Sequence, residues 1–129
     1  MKRIIFLLLA LMMFSTANYA QSSNPPQFTQ QTDANYRLYP TQNMYNFLKL
    51  DTRNGKIDIV QWSTSSNRME RTLSSTSQVL NAEDEKPGRF TLYATSNMYN
   101  FIMLDQVDGR TWQVQWDINS YNCMVIRIY

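Results

Sequence analysis

Four aspartates, Asp51, Asp58, Asp105 and Asp117, are the side chains of this sequence that most readily suggest catalysis. Two carboxylates held a few ångströms apart can divide the work of glycoside hydrolysis, one donating a proton and the other activating water or attacking the sugar. Asp51 with Asp105, or Asp58 with Asp117, would meet if the chain folded about an internal twofold axis. The rest of the composition does not support that chemistry. There is no histidine, which removes the usual general base, the Ser-His-Asp and Cys-His arrangements and most zinc sites. The three glycines form neither a P-loop nor a dinucleotide-binding pattern. Asp51 and Asp105 also have a simpler use, because each stands just ahead of a turn whose backbone N–H groups a carboxylate can accept. The chain therefore reads as non-enzymatic, with no catalytic residue, no metal ligand set and no cofactor.

Aromatic residues are the second resource. Tyr45, Tyr99, Trp62, Trp112 and Trp116 offer flat faces that stack on sugar rings or fill pockets in a protein partner. Trp62 and Trp116 fall at positions expected to face a core. Trp112 occupies a site where a related stretch carries Asp58, so that site is expected to tolerate solvent. Trp112, Tyr45 and Tyr99 are the candidate ligand-binding residues.

The elements that must position these groups come in two copies. Residues 43–62 read NMYNFLKLDTRNGKIDIVQW and residues 97–116 read NMYNFIMLDQVDGRTWQVQW, identical at 11 of 20 positions without a gap. Each copy is preceded by an alternating aromatic stretch, YRLY at 36–39 and RFTLY at 89–93, as expected of half-buried strands. Turn residues follow, then a strand from Met44 or Met98 whose two faces are both substantially apolar. Asn54-Gly55 and Asp108-Gly109 are strong hairpin signals. The strand after each turn ends in Val-Gln-Trp, with Val and Trp expected in the core. A fourth strand is expected at 68–73 in the first copy and at 123–129 in the second.

The fold class is therefore all-β, with two tandem four-stranded antiparallel meanders, repeat 1 at 36–73 and repeat 2 at 89–129. They are expected to form one pseudo-twofold barrel or sandwich, or alternatively two propeller-like blades. The single domain spans 35–129. The loop at 74–88 joins the repeats and reads as exposed at its acidic end.

The segment ahead of the domain reads differently. Lys2 and Arg3 precede an apolar run at 4–14, and small residues follow up to Ala20. This is the pattern of a secretory signal peptide at 1–20, cleaved after Ala17 or Ala20. The run is shorter than the roughly 20 apolar residues that span a bilayer. Residues 21–34 are polar, contain Pro25 and Pro26, and read as a flexible spacer. Removing the leader takes away two of 12 basic residues, so the remainder balances its 10 acidic ones. The charge pattern excludes a nucleic-acid partner and a basic membrane-surface helix. Export to the periplasm or beyond is the expected location, with no membrane insertion once the leader is cut. Cys123 is the sole cysteine, so no internal disulfide forms, and its apolar neighbours predict a buried thiol.

The repeated string NMYNF…LDT…G…VQW resembles a motif of small exported bacterial proteins of the Bacteroides type, whose function is uncharacterised. The resemblance covers both repeats and implies no particular activity. The LD…G…VQW part is also similar to the strand–turn–strand of quinoprotein-type propeller blades, although any tight hairpin favours Asp and Gly there and no quinone cofactor is implied. The functional expectation is an exported β-repeat protein that binds a protein or glycan ligand, including an inhibitor-type role. The alternative is a structural protein that assembles through blade-like repeats. Function is expected where the copies differ: Asp58 against Trp112, Lys49 against Met103, and the loop at 74–88.

Overall fold

The computed structural model describes residues 33–129. The leader and nearly all of the spacer lie outside the described residues. Eight strands form two four-stranded antiparallel meanders. The first sheet is β1 (Tyr36–Pro40), β2 (Asn46–Asp51), β3 (Ile57–Gln61) and β4 (Met69–Ser74). The second is β5 (Phe90–Ala94), β6 (Asn100–Asp105), β7 (Thr111–Gln115) and β8 (Met124–Ile128). The sheets stack and do not close into a barrel. Among the described residues no helix is long and apolar enough to cross a membrane.

Both halves of the repeat's signature are turn scaffolds. In NMYN, the Thr41 hydroxyl bonds to the carbonyls of Asn43 and Asn46, and Asn43 Oδ1 accepts the Tyr45 N–H at 3.0 Å. Thr95, Asn97 and Tyr99 repeat the arrangement. In LD…G, the Gly55 N–H donates to the Asp51 carbonyl and the Gly109 N–H to that of Asp105, both at 2.9 Å. Only the glycines adopt positive φ, at 81° in both turns. Asn54 and Asp108 do not share that conformation, as a two-residue Asn-Gly turn would require. Their side chains instead accept the N–H groups of Lys56 and Arg110.

The two sheets use opposite faces. In β2 the buried apolar side chains are Leu48 and Leu50, whereas in β6 they are Phe101 and Met103. Phe101 and Met103 correspond to Phe47 and Lys49, not to the leucines. In β3 the buried pair is Ile57 and Ile59, and in β7 it is Trp112 and Val114. Cross-strand registry keeps each set on one side, with Leu48 opposite Ile59 and Met103 opposite Trp112. The front of the first sheet therefore packs on the back of the second. A twofold axis between the repeats would bury the same face of both, so the packing is the front-to-back kind of the blade alternative. Trp62, expected in the core, is correspondingly 39% exposed while its counterpart Trp116 is buried.

Thr52 fastens the repeats. Its N–H donates to Asn35 O and its hydroxyl to Ala34 O, both just ahead of repeat 1. Its carbonyl accepts the Phe90 N–H at 2.8 Å and its hydroxyl oxygen accepts the Gly88 N–H at 2.9 Å, at the start of repeat 2. At the outer edges Arg71 of β4 donates to the carbonyls of Asp117 and Ile118. The connection between the sheets is exposed along its acidic end, as expected, while its first half is anchored. Val79 is buried in the core, the Gln78 N–H donates to Asn54 O, and Arg110 donates to Gln78 O. Cys123 is half-buried, packs against the core and donates from its thiol to Asp117 O at 3.4 Å.

The two hairpin glycines differ in their surroundings. A Cβ on Gly55 would meet Gln78 Cγ at 3.0 Å and Met103 Cε at 3.4 Å, while one on Gly109 would meet nothing within 4 Å. Gly109→Ala is expected to lose about 1 kcal/mol from the left-handed backbone alone. Gly55→Ala is expected to lose more, because the connection between the sheets must also shift; urea denaturation midpoints of the two variants check the order.

Candidate functional site

Asp51 and Asp105 are organised by arginines, each within its own half. Asp51 accepts the Arg53 N–H at 3.0 Å and its guanidinium at 2.9 Å. Asp105 is fully buried and accepts two nitrogens of the Arg89 guanidinium, at 2.8 to 3.1 Å, and Arg110 at 3.2 Å. Val107 adds its backbone N–H to Asp105 at 2.9 Å. Burial pushes both carboxyl groups up, but hydrogen bonds and charge from Arg53 and Arg89 outweigh it and hold each below the ordinary carboxylate value. Groups held as carboxylates in this way cap hairpins and are poorly placed to donate a proton. Asp58 is paired with Lys49 at 3.3 Å. Asp117 bonds the Asn119 N–H and the Asn122 amide, and these hold its carboxyl below the ordinary value.

Trp112 is not the exposed contact that its pairing with Asp58 suggested. It is 3% exposed and tilts against Phe90 with ring centroids 5.9 Å apart. The guanidinium groups of Arg110 and Arg127 lie 5.1 and 5.2 Å from its ring centroid. The difference between the copies marks which back face is covered. On the covered back of the second sheet stand Met103 and Trp112. On the open back of the first sheet their counterparts Lys49 and Asp58 pair with each other, and Lys49 also pairs with Glu70.

Tyr45 and Tyr99 are placed where a ligand can reach them, each 43% exposed. Each leans on the tryptophan that closes its repeat: Tyr45 on Trp62 at 5.2 Å, Tyr99 on Trp116 at 5.9 Å, with rings tilted by 51° and 49°. Both indole N–H groups donate to the carbonyl of the methionine before the tyrosine, at 2.7 and 2.8 Å. The turn and the indole thus fix both rings. The pairs differ in access, since Trp116 is 1% exposed and Trp62 shows its face.

The Tyr45–Trp62 pair lines a concavity of about 300 Å³ with Asn43, Asn46, Gln61, Asn67 and, from the second sheet's side, Ile118. Asn46 is 2% exposed and its Oδ1 has no hydrogen-bond partner among the described residues. In the second repeat the equivalent oxygen, on Asn100, accepts from Gln113 Nε2 at 2.8 Å. The first repeat has Ile59 where Gln113 stands, so Asn46 loses that donor. A larger concavity of about 470 Å³ lies beside the first hairpin, lined by Tyr36, Lys49, Arg53, Asp51 and Asp58 among others. Its Lys49 and Arg53 charges are already paired with carboxylates. The aromatic, amide-lined hollow is the better candidate site. Trp62, expected in the core, belongs to it; the Val-Gln-Trp motif is the same in both repeats, and the signal that their surroundings differ lay in Lys49 and Asp58 standing where the second repeat has Met103 and Trp112.

Scanned against protein-family models, curated proteins and solved structures, the chain has no match.

Asp105→Asn is expected to cost about 3 kcal/mol, because it takes from the nearly buried Arg89 guanidinium the buried carboxylate it binds and leaves it Asp108 at 3.5 Å. Asp51→Asn is expected to cost about 1 kcal/mol, since Arg53 keeps access to water. Both carboxyls are lowered on folding, so their stabilisation is complete above the ordinary carboxylate value and is lost as pH falls below about 4. Denaturation midpoints between neutral pH and pH 2 should fall steeply for the parent and less steeply for Asp105→Asn.

Proposed function

We propose that this is an exported, non-catalytic binding protein whose ligand is a neutral glycan held at the Tyr45–Trp62 hollow. The observation that carries the reading is the combination of an exposed, pre-tilted aromatic pair with a buried Asn46 oxygen that lacks a donor. Sugar rings present an apolar face for stacking and hydroxyls around the rim. A site built for them therefore needs rigid aromatic surface and a few fixed amide groups. Asn43, Asn46, Gln61 and Asn67 supply the amides. The site's lining is uncharged, which favours neutral sugars over acidic ones. A protein ligand would call for a broader apolar face than this hollow presents.

The resemblance of the repeats to small exported bacterial proteins supports export, as does the signal-like leader. Both fit a ligand met in the periplasm or outside the cell. Pre-organisation by the Asn43 turn means that little ordering cost falls on binding.

A panel of immobilised neutral oligosaccharides, followed by calorimetry on the best binder, tests the reading. Tyr45→Ala and Trp62→Ala are each expected to weaken binding about tenfold or more, as truncation of an aromatic anchor does. Tyr99→Ala should leave it unchanged. Failure of the parent chain to bind any neutral glycan, or full retention by Trp62→Ala, would sink the proposal.

A further inference from the structure

The front-to-back stacking leaves two sheet faces largely uncovered by the described residues, the back of the first sheet and the front of the second, where only Thr91 at the β5 edge is buried, its hydroxyl 3.1 Å from that of Tyr39. They are chemically unlike. The back of the first carries the Lys49–Asp58–Glu70 cluster. The front of the second has no acidic or basic residue at its register positions on β5 to β8. Its apolar residues include Ile102 and Leu104 in the middle and Ile126, Ile128 and Tyr93 toward the edges, the last three 52%, 41% and 54% exposed.

From this we infer that the front of the second sheet is a self-docking surface, on which two copies of the chain pair face to face about a twofold axis. Three observations support it. The equivalent face of the first sheet, with Leu48 and Leu50 where the second has Ile102 and Leu104, is the one the second sheet covers within the chain. This face of the repeat is therefore already used for sheet-on-sheet packing. Next, the side-chain amides on the uncovered front are engaged within the chain itself. Gln113 donates to Asn100 Oδ1, Asn100 donates to Asn97 Oδ1 at 3.0 Å, and Gln115 donates to Asn122 O at 2.8 Å. Covering this face thus leaves few groups without partners. Finally, the charges on the open back of the first sheet decide the partner face. Extending the front-to-back order to a second copy would place Lys49, Asp58 and Glu70 against a face with no charge to meet them, at a desolvation cost. Terminal units of repeat arrays use polar outer faces in the same way to stop growth. Front meeting front avoids that cost and closes the assembly at two copies.

The test is sedimentation velocity of the full mature chain from 1 to 100 µM. The expected result is a species of twice the chain mass. Ile126→Lys, on the proposed interface and already half in solvent, should weaken self-association at least tenfold while circular dichroism and thermal midpoint stay near the parent's. Val107→Lys, in the exposed β6–β7 turn, should leave the dimer intact. Glu70→Lys should also leave it intact. Loss of association in Glu70→Lys would overturn the inference in favour of front-to-back chains. A monomer at 100 µM would overturn it as well, whether the face stays bare or residues ahead of 33 cover it.

Discussion

Leu48 and Met103 lie in the same core on strands that are copies of one another, yet they are not equivalent positions. Leu48 corresponds to Ile102 and Met103 to Lys49. A pleated strand shows alternate residues on opposite sides, so sharing one core requires the first repeat to offer one side and the second repeat the other. The rest of the structure follows from this. It sets which tryptophan is buried, which lysine must find a carboxylate, and which tyrosine pair stays open. Thr52 holds the arrangement by bonding the beginnings of both repeats through one residue. Arg71 does the same at the far edge through the carbonyls of the opposite loop.

The hairpins show how similar sequence is adjusted to unlike surroundings. Asp51 and Asp105 both cap a turn and both bind a guanidinium, but the arginine comes from a different place in each. Arg53 sits two residues along in the same turn and is partly in water, while Arg89 arrives from the strand start and is nearly buried with Asp105. Position 53 is Val107 in the second copy and position 89 is Asn35 in the first. The charge has thus moved between two positions that reach the same carboxylate. A carboxylate that keeps an arginine in both halves, by different routes, serves the fold in both.

Much of this was legible in the sequence. The eight strands, the glycine turns and the tandem meander follow from apolar alternation, turn residues and the repeat itself. The facing of each sheet did not follow, and the reason is physical. Both parities of each central strand carry apolar residues, such as Leu48 and Leu50 on one side and Phe47 on the other, so period-two reasoning gives no preferred side. The deciding signal lay in the substitutions between copies. Asp58 opposite Trp112 was read as one tolerant site, when it records two different environments at equivalent positions. Treating that site as tolerant puts Trp112 at the surface, and treating the two Val-Gln-Trp motifs alike puts Trp62 in the core. The orphaned Asn46 oxygen depended on Ile59 replacing Gln113 across the strand, a relation visible only once registry is known.

A unit with a front that accepts a back, and a back that fits a front, can be lengthened by insertion. Two residues per unit would act as its grammar. Methionine and tryptophan at the Lys49 and Asp58 positions mark an interior member of a stack, and lysine and aspartate mark a first member. A third unit bearing Met and Trp could follow the second with every junction of the same kind. The described residues hold one opening unit and one continuing unit.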